Sequence, residues 1–222
     1  MKVAILVDGG FYRKRAAYLY GKKTASARAA ELNAYCLDHL KESTNYEGRK
    51  LLYRIFYYDC PPISKTVFNP ITKKNVSFGK AETYKWTIDF YNELKKRRKF
   101  ALRMGELSDE HAGYVLSAET VKDLCLGKRN VEDLTERDIN ITFGQKGVDM
   151  RIGLDIASLS YKKQVDQIIL ISGDSDFVPA AKLARREGID FILDPMGATI
   201  KDDLFEHIDG LRSPWSHKKG DK

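Results

Sequence analysis

Gln167-Ile168-Ile169-Leu170-Ile171-Ser172-Gly173-Asp174-Ser175-Asp176-Phe177 is the stretch on which the reading of the fold turns. Its apolar run is short and uninterrupted, so residues 167–171 read as a strand buried on both faces rather than as one side of a helix. Ser172-Gly173-Asp174 breaks the run, and helical spacing follows over residues 177–187, closed by Gly188. The same pattern recurs in Val3-Ala4-Ile5-Leu6-Val7, bounded by Asp8-Gly9-Gly10, and in residues 51–58, closed by Asp59-Cys60-Pro61-Pro62. Residues 100–104 and 190–193 complete a set of five short strands. Helical spacing also fills residues 25–41, with Ala30, Ala34, Leu37 and Leu40 on one side, and residues 82–97 and 148–161. Strands that alternate with helices pair in parallel, which predicts a three-layer α/β/α sandwich around a mostly parallel sheet.

The composition limits what such a sheet can serve. The chain has 222 residues, 38 Lys+Arg against 31 Asp+Glu and a net charge of +7, with 43% hydrophobic and 11% aromatic content. That excludes disordered and low-complexity classes, and no run approaches the ~18 apolar residues of a membrane span. The basic excess points to a polyanionic partner. We expect one domain over residues 1–212, with loop-like insertions near 59–81 and 107–147, the second holding a short helix near 119–126. Residues 213–222 read as a flexible tail. Cys36, Cys60 and Cys125 are too widely spaced for a disulfide framework or zinc knuckle, and the apolar run before Asp8 is too short for a signal peptide. Reduced thiols and a cytoplasmic location are the expectation.

In an open parallel sheet, ligands bind beyond the carboxyl ends of the strands. Those ends carry Asp8, Asp174 and Asp176, and Asp149 stands in the first turn of the helix before the Asp174 strand. If the first strand neighbours the Asp174 strand, these carboxylates share one small volume and repel unless a cation neutralises them. Hard oxygen donors select Mg²⁺ or Mn²⁺, and such a site suits phosphodiester hydrolysis by metal-activated water. Each residue also has a plainer reading. Asp8-Gly9 is a common turn, Asp174 and Asp176 suit a helix cap, and Asp149 suits a helix first turn, although Val148, Ile152 and Ile156 surround it in sequence. Asp155 lies about 240° further round the helix than Asp149 and is a candidate either for an ion pair with Arg151 or for support of the site.

Taken in order, Val7-Asp8-Gly9-Gly10-Phe11, Phe56-Tyr57-Tyr58-Asp59-Cys60-Pro61-Pro62, Gln145-Lys146-Gly147-Val148-Asp149 with Asp155, and Ser172-Gly173-Asp174-Ser175-Asp176-Phe177-Val178-Pro179 resemble the NYN domain family. These are PIN-like ribonucleases that include bacterial LabA-like proteins. The resemblance implies strand order 3-2-1-4-5 and a divalent-metal nuclease, usually acting on RNA. It makes Asp8, Asp149 and Asp174 the core metal ligands and Asp176 the fourth acid. Asp155 falls on a further acidic position, and Ser172 joins it as a supporting residue behind the ligands. Gly10 departs from the pattern, because many NYN proteins carry Asn there.

The expected partner is RNA, single-stranded or structured, with DNA as the alternative polymer. Arg13, Lys14, Arg15, Lys73, Lys74 and Lys146 are the candidates for phosphate contacts, and Phe11, Tyr12 and Tyr18 for base stacking. The run from Lys95 to Lys99 reads as a solvated face. A HAD-like phosphatase would need Asp where Gly10 stands, and a dinucleotide-binding fold would need G-x-G-x-x-G. A toxin-like PIN protein would be shorter. The rival that stands is a non-catalytic RNA-binding or scaffold protein on the same fold. The sequence does not indicate a homo-oligomer.

Overall fold

The structure, a computed structural model, describes residues 1–41 and 49–215. In chain order its elements are β1 (Lys2–Asp8), α1 (Gly9–Tyr20), α2 (Ala25–Asp38), β2 (Leu51–Asp59), β3 (Thr66–Asn69), β4 (Lys74–Ser77), α3 (Glu82–Lys95), β5 (Phe100–Met104) and β6 (Glu106–Leu116). There follow α4 (Ala118–Cys125), β7 (Ile139–Lys146), α5 (Val148–Tyr161), β8 (Gln167–Ile171), α6 (Val178–Arg186), β9 (Asp190–Asp194), α7 (Asp202–Glu206) and β10 (Gly210–Leu211). The chain divides into two compact units.

The first unit comprises Met1–Asp59, Asp89–Gly105 and the residues from Gly147 onward. Its sheet has six strands in the order β10-β9-β8-β1-β2-β5, and every pairing is parallel. Among the five predicted strands this is the expected order 3-2-1-4-5, with β10 added at the β9 edge. Val3 to Val7 are fully buried because β1 lies at the centre with a neighbour on each side. Side chains alternate between the faces of a strand. Ala4 and Leu6 therefore join Ile152 and Ile156 of α5, Ala181 and Ala184 of α6 and Leu204 of α7 in one core cluster. Tyr57 points the other way, edge-on to Phe90 of α3.

α1 is an element the sequence did not announce. Asp8 does not close a turn; it caps this helix, its Oδ1 accepting from the Phe11 amide at 3.0 Å. The helix starts hard against β2, and only glycine permits that approach. A methyl on Gly9 would lie 2.5 Å from the Tyr57 ring and hydroxyl and 2.6 Å from the Tyr58 carbonyl. Neither can retreat, since one is a buried ring and the other is sheet backbone. Gly9→Ala is expected to destabilise by about 3 kcal/mol, lowering Tm by roughly 6–12 °C. Gly10→Ala, whose methyl would meet only Asp8 Oδ1 at 3.5 Å, is the control. A melting curve for Gly9→Ala that overlays the control would contradict this packing.

Within the segment read as a frayed tail, Ser213 donates to Asp194 Oδ1 at 2.6 Å and Trp215 Nε1 to Asp38 Oδ2 at 2.6 Å. The Trp215 ring meets Tyr35 and Tyr20 edge-on. Residues 213–215 are therefore docked, a correction that follows from an indole with both an aromatic wall and an acceptor. Residues 216–222 lie outside the described residues.

The second unit comprises Cys60–Ile88 and Glu106–Lys146. These stretches, expected as irregular loops, hold two antiparallel pairs, β3 with β4 and β6 with β7, and the helix α4 at almost the predicted position. Asp138 organises the return from α4. It accepts from both Arg129 Nη atoms, from the Thr135 amide and hydroxyl, and from Thr120, and the Arg129 guanidinium holds its carboxyl well below the usual range. Many strand positions here are polar, which explains why an apolar-run criterion passed over them.

Candidate active site

Parallel strands place all their carboxyl ends on one edge of the first unit's sheet. Asp8 ends β1, and β8 next to it runs through buried Ser172 into a one-turn 3-10 helix, Ser175–Phe177, capped by Asp174. Ser172 links the two strand ends. Its hydroxyl donates to Asp8 Oδ2 at 3.3 Å and accepts from the Asp174 amide at 3.3 Å. Asp174 Oδ1 in turn accepts from the Asp176 amide at 3.0 Å. Asp149 enters from α5, which follows Gly147 in the left-handed region at φ 83°, so a side chain at 147 would be strained.

The electrostatics tie the four acids together. Burial pushes the Asp8 carboxyl above its ordinary value. The Phe11 and Ser172 hydrogen bonds pull it back, and the charges of Asp149 and Asp59 raise it further. Asp149 is exposed on α5, yet its carboxyl is also raised, first by partial desolvation and then by Asp174 and Asp176. Hard carboxylate oxygens that repel one another are, in chemistry, the donor set for Mg²⁺ or Mn²⁺. In arrangement they do not close into a set, because no group of three or more His, Cys, Asp or Glu side chains among the described residues is placed to hold a metal ion.

Other expected site residues are used differently. Arg13 Nη2 binds Asp59 Oδ1 at 2.9 Å, and Tyr57 donates to Asp59 Oδ2 at 3.1 Å. Asp59 is 97% buried and needs a cation, so Arg13 serves the fold where a free phosphate contact was expected. Arg15 donates to the Met196 carbonyl and lies over the ring of exposed Tyr18, while Lys14 is exposed. Tyr12 cannot stack on a base: it is fully buried, with its hydroxyl on Glu31. Phe11 is half-buried and lies against Gly173, where a methyl would come within 3.0 Å of its ring. Asp155 is engaged by the Tyr58 hydroxyl at 2.7 Å and Arg103 Nε at 3.1 Å. Lys73 and Lys74 are exposed in the β3–β4 turn of the second unit, and the Lys146 side chain lies outside the described residues.

Residues 114–204 match the NYN domain. The NYN domain belongs to the PIN-like nuclease superfamily. The NYN match covers under half of the chain and includes Asp149, Asp155, Ser172, Asp174 and Asp176, while Asp8 lies before it. No curated protein matches. A crystal structure of a protein of unknown function from Vibrio parahaemolyticus RIMD 2210633 is similar over 95% of this chain and 90% of that one, at 13% identity and a TM-score of 0.46. The sequence reading missed Asp59 as a neighbour of Asp8. The signal was available: both acids end adjacent strands, and Asp8 is in register with Tyr58. No helix among the described residues is long and apolar enough to cross a membrane, and no disulfide joins Cys36, Cys60 or Cys125 among the described residues.

Proposed function

We propose that the chain is a divalent-metal-dependent endoribonuclease whose site is formed by Asp8, Asp149, Asp174 and Asp176. The observation that carries this reading is the gathering of acids at the carboxyl edge of the sheet, where Ser172 bridges Asp8 to the Asp174 turn and the charge of Asp149 bears on Asp8. The NYN match supports a nucleic-acid substrate in general, and the basic excess supports a polyanion. The chemistry that Mg²⁺ or Mn²⁺ supplies when bound is activation of water and stabilisation of charge at the scissile phosphate. The protein's own share is to hold Asp8 through Ser172 and the Phe11 amide, and to present Asp149, Asp174 and Asp176 on exposed, rotatable side chains.

The second reading, a non-catalytic RNA-binding protein, is favoured by acids that do not close into a set among the described residues. The test incubates the protein with end-labelled single-stranded RNA, duplex RNA and single-stranded DNA in Mn²⁺ or EDTA, beside Asp174→Asn. Cleavage of RNA is expected in Mn²⁺ alone, with 5′-phosphate products, and a loss of roughly 10²–10³-fold in the variant. Cleavage that persists in EDTA would overturn the metal requirement, and RNA binding without cleavage would establish the second reading. Mn²⁺ is also expected to raise Tm by linkage, and this shift should disappear in Asp174→Asn.

A further inference from the structure

The run Lys95-Lys96-Arg97-Arg98-Lys99 does not behave as a plain solvated face. It ends α3 and enters β5, at the amino edge of the sheet. There Lys96, Arg97, Arg98 and Lys99 line an open hollow of about 530 Å³ together with Asn33 and Leu37 of α2 and Leu52 of β2. The turn is fixed in place. Arg97 N donates to the Leu94 carbonyl at 3.0 Å, the Ile55 amide to the Lys99 carbonyl at 2.9 Å, and Lys99 Nζ to the Leu52 carbonyl. Lys99 holds φ 66°, a left-handed conformation unusual for lysine. Lys96 is matched by Glu93 at 2.6 Å.

Arg97 is the informative residue. Its Nε is shielded from solvent and has no hydrogen-bond partner among the described residues. A guanidinium can only donate, so what is missing is an acceptor, and a buried N–H without one is costly. The neighbouring cations require that acceptor to be anionic. A phosphate meets the guanidinium fork, successive phosphates meet successive cations, and the aliphatic walls with the Asn33 amide suit the base beside a phosphate. Leu52 is level with Val3, five residues below Asp8 on β1, which puts this hollow about 16 Å along the strands from the acidic edge. We propose that the hollow is a phosphate-binding site, distinct from the acidic cluster, that takes the backbone of a nucleic-acid strand. Only the choice of nucleic acid as the phosphate source rests on the function proposed above.

The test measures binding, not cleavage. Fluorescence anisotropy with a labelled single-stranded RNA in EDTA, across a salt series, compares the wild-type chain with Arg97→Gln, with the exposed pair Lys96→Gln/Arg98→Gln, and with Lys122→Gln/Lys128→Gln as a control of equal charge. The hollow variants should bind about 10-fold more weakly, the pair losing about 1–2 from the log–log salt slope, with the control unchanged. Displacement by AMP or inorganic phosphate would identify a site that also accepts free phosphates, and resistance to both a site for the continuous strand. Wild-type affinity and slope in both hollow variants, equal losses in the control, or displacement by polyglutamate but not by unlabelled RNA would overturn the proposal. The assay runs in EDTA and reads binding alone, so a failed cleavage assay leaves this site standing.

Discussion

Asp8→Asn is expected to abolish cleavage while raising the Tm of the metal-free protein. Asp8 is the most constrained of the four acids, enclosed by burial and close to the charges of Asp149 and Asp59. Its carboxyl is raised above the ordinary value of 3.8, so the folded state binds the proton more tightly than the unfolded chain. The stabilisation from that proton is complete below pH 3.8, is lost as pH rises through the folded value, and is absent at neutral pH. Asparagine keeps the helix cap, because its carbonyl can still accept from the Phe11 amide, and it removes the buried charge. A gain of about 1 kcal/mol would appear as roughly 2–4 °C in Tm for a chain of this length. The gain should grow from pH 4 towards neutrality and then level off. Activity should fall by roughly 10²–10³-fold or more. A variant that melts below the wild type at pH 7 without metal would show that Asp8 stabilises the fold and is not held under strain for function.

Asp194→Ala is expected to be the most damaging single change outside the candidate site. Asp194 ends β9 and is fully buried. Its Oδ2 faces His39 Nε2 at 2.8 Å, and its Oδ1 accepts from the Met196 amide at 2.7 Å and from Ser213. An ionised carboxylate only accepts, so Nε2 carries the hydrogen. From the same region Arg212 donates to the His39 and Asp38 carbonyls at the end of α2. Alanine would leave two buried donors, His39 and the Met196 amide, and the part-buried Ser213 hydroxyl without their acceptor, at a cost of about 3–5 kcal/mol. Tm should drop by roughly 10 °C, and Trp215 fluorescence should shift to the red as the indole leaves Tyr35 and Tyr20. An intact Trp215 signal and an unchanged Tm would refute this account of the C-terminal segment.

The sequence carried most of the sheet and little of its surroundings. β5, β8 and α5 begin and end where the apolar runs and helical spacing predict, most sharply β8, because a strand covered on both faces must be apolar throughout. α1 was hidden because Gly9, Tyr12 and Ala16 are its only buried residues, a stripe too narrow to read against Arg13, Lys14 and Arg15. Those three basic residues look like one patch in sequence, but each step round a helix is 100°. Arg13 is therefore drawn to buried Asp59 while Lys14 stays in solvent. The four acids were legible as strand-end and helix-start carboxylates. Ser172, expected as a supporting residue, bonds Asp8 and the Asp174 amide. The Arg97 hollow was not legible, since a lysine-arginine run looks alike whether exposed or enclosed.

The central position of β1 also has a consequence for synthesis. This strand is made about fifty residues before β2 and about 165 before β8, its partners on either side. Contacts of that sequence separation form late and slowly. Until β8 is made, Asp8 therefore stands without Asp174 or Asp176 beside it, and one edge of the central strand is unpaired. Translation order alone keeps the acidic edge unassembled over that interval, which is the one in which a chaperone has most to shield.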